Sequence, residues 1–475
     1  MKILHYFKLI LTLVFALLFY KQSPGLNTLI FSSLLIISLI CLKNKQSKHP
    51  FAVYLLLLLS AASVFLYGNS LSLFSFFILF IVLSGQMAFL NAPMAFAMMP
   101  GLINTISAFP YQVVKFMGKK TQAGKGQISS DRIFFKLLKL LLIMLVVFVF
   151  FMLYLHASAG FSRLVNTVDF KFPNIYFWLI LLLGAFCTHA ILHHAGKSIL
   201  RYLMPKSSEH IDPKKYLEHP TSSSWISIGT SLFIALNILS IVVLVSDLSF
   251  VLSGTLGNQN PSFYSEIVHE GVWSLIISVL LAMALLFIFF EGRINFIPGK
   301  QRIKRLAYAW IICNIFLILL TFYKNGLYIQ ELGMTYKRIG VWYYLLASVI
   351  GLIILYLKIA RDKNILYAIR KTVPIYLFIL VISSFMPWEI AVTNYNLAEA
   401  EKKGIAADLD YLMHLDGNNL HLLKAYVERS QTNSINFYDT SALNHRIIAY
   451  QKNIPEKDFR SLVWIENLSL EHLKP

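Results

Sequence analysis

The histidines in the stretch 187–197 have the spacing that comes closest to metal chemistry. His189 and His193 are four residues apart and would share one face of a helix, with His194 beside them. Imidazole groups at this spacing can chelate a transition metal. A membrane metalloenzyme would need further histidine clusters, and the other histidines form none. A polar stripe that snorkels to the membrane interface is the simpler interpretation.

Two pairs of opposite charges are candidates for a polar site. Glu331 and Arg338 are seven residues apart, between two late apolar runs. There a charge pair could gate a cavity or bind a lipid headgroup. A salt bridge that only orders the connection is the alternative. Glu291 and Arg293 flank a glycine at the end of another apolar run, where local pairing is the simpler interpretation.

The sequence contains no complete catalytic motif. GxSxG, HExxH and a complete phosphate-binding loop are all missing. The three cysteines, Cys41, Cys187 and Cys313, fall inside apolar runs without a CxxC partner, so neither a disulfide framework nor a zinc finger is indicated. These absences favour a function other than catalysis, and no cofactor is expected.

The elements that must position these residues are membrane helices. The 475 residues are 57% hydrophobic and 14% charged, whereas a soluble domain carries about 25% charged residues. Runs such as 137–155, which is apolar apart from one lysine, approach the roughly 20 residues that one crossing requires. Continuous rather than alternating runs indicate helices and not a barrel. We therefore predict an all-α, polytopic transmembrane helix bundle.

About eleven spans are predicted in a transmembrane domain covering residues 1–390. They lie near residues 9–20, 26–42, 51–67, 71–90, 133–155, 174–196, 225–246, 271–290, 306–323, 339–357 and 373–390. The first has the length of a signal peptide, but no A-x-A cleavage site follows, so we expect it to be retained. The proline-containing stretch 91–120 is predicted to lie in the inner interface or to continue the fourth span after a break.

The basic residues predict the orientation. The net charge is +19. Successive connections between the predicted spans lie on alternate sides of the membrane. The connections on the side of the N-terminus contain 25 Lys or Arg, and the connections on the other side contain 6. Short basic loops stay in the cytoplasm. We therefore expect a bacterial inner-membrane protein with a cytoplasmic N-terminus and an extracytoplasmic C-terminus. The charge is a topology signal, so the expected partner is the lipid bilayer and not nucleic acid.

The composition changes after residue 390. Residues 391–475 contain 9 Lys or Arg and 11 Asp or Glu, and no apolar run there reaches the length of a span. The apolar spacing in this tail suits amphipathic helices that pack on each other. We predict a small, soluble, extracytoplasmic helical domain that is a candidate for binding a protein partner.

Two motifs carry a family resemblance. Tyr328, Glu331, Gly333, Thr335 and Arg338 form the first, and the run Asp408, Leu409, Asp410, Tyr411 and Leu412 forms the second. Over residues 300–475 the chain resembles a bacterial multi-pass membrane family described as a domain of unknown function (4173/4153-like). The resemblance implies an architecture and no reaction.

Three functions follow as hypotheses. Many spans with few catalytic groups favour a transport, channel or lipid-handling role. The change of composition at the tail suggests a structural or signalling protein that binds a partner there. A metalloenzyme that uses the three histidines is the least favoured.

Overall fold

The computed structural model of the protein is helical. It describes residues 2–42, 50–89, 92–121, 175–192, 223–253, 261–291, 299–432 and 440–473, with a few isolated residues between 147 and 161. Within these ranges the chain forms α-helices, short 3₁₀ turns and connections, and no β-strand. This agrees with the predicted all-α class.

The helices are numbered here in chain order. The first group is α1 (Lys2–Phe19), α2 (Leu26–Leu42), α3 (Phe51–Tyr67), α4 (Ser70–Ala88), α5 (Met98–Thr121), α6 (Ile175–Leu192), α7 (Ser223–Leu252) and α8 (Pro261–Phe289). The second group is α9 (Lys300–Leu332), α10 (Tyr336–Ala360), α11 (Ile365–Ser384), α12 (Trp388–Lys403), α13 (Leu409–Met413), α14 (Leu420–Thr432), α15 (Thr440–Asn453) and α16 (Trp464–Leu473).

Five of these helices are long and apolar enough to cross a membrane: α4, most of α7, α9, α10 and α11. Five shorter apolar helices are Tyr6–Phe19, Leu26–Cys41, Phe51–Tyr67, Tyr176–Leu192 and Ser274–Phe289. All ten coincide with predicted spans. The predicted span 133–155 lies almost entirely outside the described residues, so the total of eleven stays a prediction. The last span ends earlier than predicted, at Ser384, and α12 begins after Pro387.

The chain divides into two compact units. The first contains Met1–Pro205, Leu380–Phe385 and Pro455–Asn467. The second contains Lys206–Ile379, Met386–Ile454 and Leu468–Pro475. The polar tail contributes residues to both units, and the predicted boundary at residue 390 stays a prediction.

In the first unit, α1 and α6 run antiparallel. The hydroxyl groups of Thr12 and Thr188 are 2.9 Å apart, and towards the end of α1 the ring of Tyr20 lies 5.5 Å from that of Phe177. The helices approach closely at Gly184, where an added Cβ would lie 2.7 Å from the ring of Phe15. A glycine here is therefore required by the packing.

Helix α5 packs on α4 and α6. A Cβ on Gly85 would lie 1.9 Å from the carbonyl oxygen of Ala97, and one on Gly101 would lie 1.9 Å from that of Ile81. Asn104 is fully buried and donates to the Ala190 carbonyl of α6, 2.7 Å away. The stretch is helical as predicted, and a break that contains a 3₁₀ turn separates it from α4. Its position at the inner interface stays a prediction. Pro110 lies inside α5 and does not end it.

In the second unit, α7 and α9 run parallel. The indole nitrogen of Trp310 donates to Ser240 Oγ over 3.0 Å, and further along both helices Lys324 Nζ lies 2.8 Å from Asp247 Oδ2. Their shared core also includes Phe233, which is fully buried.

The other long helices of this unit have equally clear relative directions. Helices α9 and α10 are antiparallel, because Tyr308 stacks near Tyr356 while Phe322 stacks on Trp342. Helices α8 and α10 are parallel. Two hydrogen bonds show this: one from the Tyr344 hydroxyl to the Ile276 carbonyl and one from Lys358 Nζ to the Phe290 carbonyl, both 3.0 Å.

Helices of the tail form a second core within this unit. Leu412, Leu420 and Leu423 are almost fully buried there, and Ile339 of α10 contributes to the same cluster. The tail therefore packs on the start of α10, where the first sequence motif lies.

Candidate functional site

The connection between α9 and α10 contains the first motif. Gly333 ends α9 with φ = +84°, a left-handed conformation that favours glycine. Thr335 then caps α10, because its hydroxyl accepts a bond from the backbone N–H of Arg338. The glycine and the threonine of the motif thus explain why the chain turns here.

Arg338 closes the C-terminus of α9. Its guanidinium group lies over the ring of Tyr328, 4.1 Å from the centroid, and donates to the carbonyls of Leu332 and Gly333. These carbonyls belong to the negative end of the helix dipole, so a cation is favourable there. The face of Tyr328 adds a cation–π interaction.

The predicted pairing of Glu331 with Arg338 is wrong. Glu331 Oε2 instead lies 3.2 Å from Lys403 Nζ of α12, and the same ammonium group donates to the Gln330 carbonyl over 2.6 Å. Residues seven apart share a face only within one continuous helix. The turn at Gly333 separates the two residues and points their side chains in different directions.

The second motif meets the first. Asp408 caps the short helix α13, because its Oδ1 accepts from the backbone N–H of Tyr411 over 3.0 Å. The hydroxyl oxygen of Tyr411 accepts a bond from the backbone N–H of Tyr336, 3.2 Å away. Asp410 is exposed. The two motifs therefore form one structural corner that joins the tail to α10.

A buried carboxyl group stands behind this corner. Glu389 is 6% exposed, and its Oε1 accepts from the backbone N–H of Gly417 over 2.6 Å. Burial, assisted by the charge of Asp416, raises the pKa of Glu389 to about 7. The next turn is held by fully buried Asn419, which donates to Thr393 Oγ1. The sequence patterns gave no indication of this site.

Glu291 pairs across helices. Its carboxylate lies 3.1 Å from Lys358 Nζ, a fully buried ammonium group of α10, and accepts a bond from the backbone N–H of Ile365. Arg293, its predicted partner, lies outside the described residues. The observed partner could not be found from spacing, because 67 residues separate it from Glu291.

His189 serves helix packing. Its Nδ1 lies 2.8 Å from the Ala185 carbonyl, and its ring lies 5.2 Å from that of Phe109. His193 and His194 lie outside the described residues. No group of three or more candidate metal ligands occurs in the part of the chain that the structure describes.

A groove of about 680 Å³ runs between α1, α5 and α6 in the first unit. It is lined by Lys8, Leu9, Thr12, Leu13, Phe109, Trp178, Leu181, Leu182, Ala185 and His189. Most of the wall is apolar, with Lys8, Thr12 and His189 as its polar members. Lys8 is only 3% exposed. Sequence reasoning missed the groove, since it arises from three helices that are distant in sequence.

Comparison with known proteins gives a family. The sequence profile of a family described as "Domain of unknown function (DUF4153)" matches residues 9–426. The chain belongs to this family. The DUF4153 region begins inside α1 and ends inside α14, so the relationship extends far to the N-terminal side of residue 300, where the resemblance began, and stops before residue 427. No curated protein and no solved structure matches the chain.

Both motifs and all the lining residues of the groove except Lys8 lie inside the DUF4153 region, whereas α15 and α16 follow it. The family description names no activity, so function has to be argued from the geometry.

Proposed function

We propose that this protein is a multi-pass protein of the bacterial inner membrane that binds a membrane lipid in the groove between α1, α5 and α6. Its N-terminus is cytoplasmic and its tail is extracytoplasmic. The apolar groove with an almost fully buried lysine is the observation that carries the proposal.

Relative helix directions support repeated crossing. If the predicted spans alternate in direction, α1 and α6 must be antiparallel, α7 and α9 parallel, α8 and α10 parallel, and α9 and α10 antiparallel. The contacts described above have this pattern in every case. Orientation then follows from the basic loops.

Ion pairs between connections support the same topology. Lys300 and Lys304 lie 3.3 and 2.6 Å from the carboxylate of Asp362, and Glu291 pairs with Lys358. These residues come from two connections that are both predicted to be cytoplasmic. A topology that placed the two connections on opposite faces would not allow these contacts.

The groove suits a lipid better than a hydrophilic solute. Its volume lies within the roughly 300–1,000 Å³ of typical ligand sites. Leu9, Leu13 and Leu182 present apolar surface along the length that an acyl chain needs. Lys8 lies nearest the cytoplasmic end of α1, where anionic headgroups concentrate. An anionic phospholipid satisfies both features, with its phosphate towards Lys8 and His189.

Photo-crosslinking tests the proposal. The purified full-length protein is reconstituted in vesicles that contain phosphatidylglycerol with a diazirine in one acyl chain, and crosslinked peptides are mapped by mass spectrometry. We expect enrichment in peptides of α1, α5 and α6. Leu182→Trp should fill the groove and remove this enrichment, while Leu239→Trp, at an exposed apolar position of α7, should not. Crosslinks spread evenly over all apolar helices would contradict the proposal.

A second candidate role is partner binding by the tail. Its own core is well packed, yet Ile405 and Ile448 remain exposed on its surface. Exposed β-branched apolar residues of this kind are candidates for a protein contact. Photo-crosslinkers placed at 405 and 448 in cells should trap one discrete partner, and the absence of any adduct would remove this role.

A further inference from the structure

A short segment of the tail docks in the first unit. We call residues 458–464 the strap. The Leu462 carbonyl accepts a bond from the backbone N–H of Leu26, 3.0 Å away, at the turn between α1 and α2. Val463 packs on Gly68 between α3 and α4, where an added Cβ would lie 3.0 Å from the valine side chain. The strap is therefore fixed to two helix connections.

Contacts of Arg460 fix the position of the strap along the axis of α1. Its guanidinium group binds both oxygens of Asp458, at 3.0 Å from Nε to Oδ1 and 2.8 Å from Nη2 to Oδ2. It also donates to the Leu17 carbonyl in the last turn of α1. The side chain of Leu17 is itself exposed on this helix. The strap thus lies beside the end of α1 that the proposed topology places at the outer leaflet.

Aromatic residues mark the membrane interface at this level. The rings of Tyr20 and Tyr176 lie 5.9 Å apart at the end of α1 and the start of α6, and Trp178 is exposed two residues further along. Amphipathic rings of this type collect at the boundary between headgroups and acyl chains.

The strap adds two large aromatic side chains at the same level as Tyr20, Tyr176 and Trp178. Phe459 is 66% exposed and Trp464 is 55% exposed, although the backbone around both is held by the contacts given above. Two charge pairs lie nearby: Lys457 Nζ is 2.6 Å from Glu466 Oε2, and Arg460 binds Asp458. The strap therefore presents apolar rings next to polar groups, an arrangement that suits a membrane interface.

We propose that Phe459 and Trp464 insert into the headgroup–acyl boundary of the outer leaflet, so that the strap fastens the tail to the lipid surface as well as to the ends of α1 to α4. This inference depends on α1 crossing the membrane. It does not depend on a lipid in the groove between α1, α5 and α6.

Spin-label accessibility tests the inference on the full-length protein in vesicles. Cys41, Cys187 and Cys313 are first replaced by serine. A nitroxide is then attached to a single cysteine in Phe459→Cys, Trp464→Cys or Glu456→Cys, the last being an exposed, charged neighbour in the same unit. We expect labels at 459 and 464 to collide with membrane-soluble oxygen at least threefold more often, relative to a water-soluble nickel chelate, than the label at 456.

Two results would overturn the inference. Labels at 459 and 464 that are as accessible to the chelate as the label at 456 would place the rings in water. Labels shielded from both reagents would indicate a protein contact instead. As a check that needs no cysteine variant, brominated lipids should quench wild-type fluorescence more than that of Trp464→Phe, and equal quenching of the two proteins would also contradict the inference.

Discussion

Asn396 holds the backbone of Met334 from both sides. Its Oδ1 accepts from the Met334 N–H over 2.6 Å, and its Nδ2 donates to the Met334 carbonyl over 2.9 Å. Gly333 lies so close that an added Cβ would be 2.8 Å from Asn396 Oδ1. A side chain of the tail thus satisfies the backbone of the α9–α10 connection, where neither helix can do so.

Loss of this amide should loosen the tail. Asn396→Leu leaves both backbone groups of Met334 without their partner, and we expect it to lower the free energy of unfolding by about 1–3 kcal/mol. Thermal unfolding of the purified protein and the rate of tail proteolysis measure the effect. Asn394→Leu, the same change at an exposed position of α12, should leave both unchanged.

Arg338 and Glu331 should differ sharply in importance. Arg338→Gln removes a charged donor from two helix-end carbonyls and from the face of Tyr328, so we expect a loss of about 2 kcal/mol or more. Glu331→Gln breaks only a largely exposed ion pair with Lys403, for which about 0–1 kcal/mol is typical. Unfolding temperatures of the two variants provide the comparison. Equal losses would show that the guanidinium contacts do not stabilise the corner.

Gly85 of α4 and Gly101 of α5, which lie where the two helices touch, should tolerate no side chain. Gly101→Ala would bring a Cβ to within 1.9 Å of the Ile81 carbonyl oxygen, so we expect the helices to separate and the folded yield to fall severalfold in size-exclusion chromatography. Gly340→Ala is the matched control, since nothing lies within 4 Å of its added Cβ. In α10 it should stabilise the protein by about 0.5–1 kcal/mol.

Glu389 should make the tail more stable in mild acid. Because burial raises its pKa from 4.5 to about 7, the folded protein keeps a proton that the unfolded chain releases between these values. The free energy of unfolding then falls as pH rises from 4.5 to 7, by about 3 kcal/mol at pH 8. Unfolding followed at pH 5 and pH 8 measures the difference.

Removing the charge should abolish this dependence. Glu389→Gln keeps an oxygen that can accept from Gly417, and we expect it to be more stable than wild type at pH 8 and similar to it at pH 4.5. Glu471→Gln, at an exposed position of α16, should retain the wild-type profile. A Glu389→Gln variant that is less stable at pH 8 would show that the buried carboxylate stabilises the fold.

Patterns along the chain predicted most helices but few contacts. Apolar runs found the ten apolar helices, because hydropathy depends on neighbouring residues only. Gly333 and Thr335 were identified only as members of a motif, and the position of Asn396 opposite them depends on how the tail folds back. Glu291 forms an ion pair with Lys358, 67 residues away in sequence, and no local spacing predicts such a pair. The groove that contains Lys8 is formed by three helices that are distant in sequence, so no sequence motif could predict it.

The proposed topology would place Lys8 of the groove towards the cytoplasm and the strap at the outer leaflet. Cysteine labelling in intact cells tests this topology most directly. With the native cysteines replaced by serine, Ile405→Cys in the exposed tail and Arg302→Cys at the start of α9 are treated with a membrane-impermeant maleimide. We predict labelling of position 405 in intact cells and of position 302 only after the cells are opened. Labelling of position 302 but not position 405 in intact cells would contradict the account.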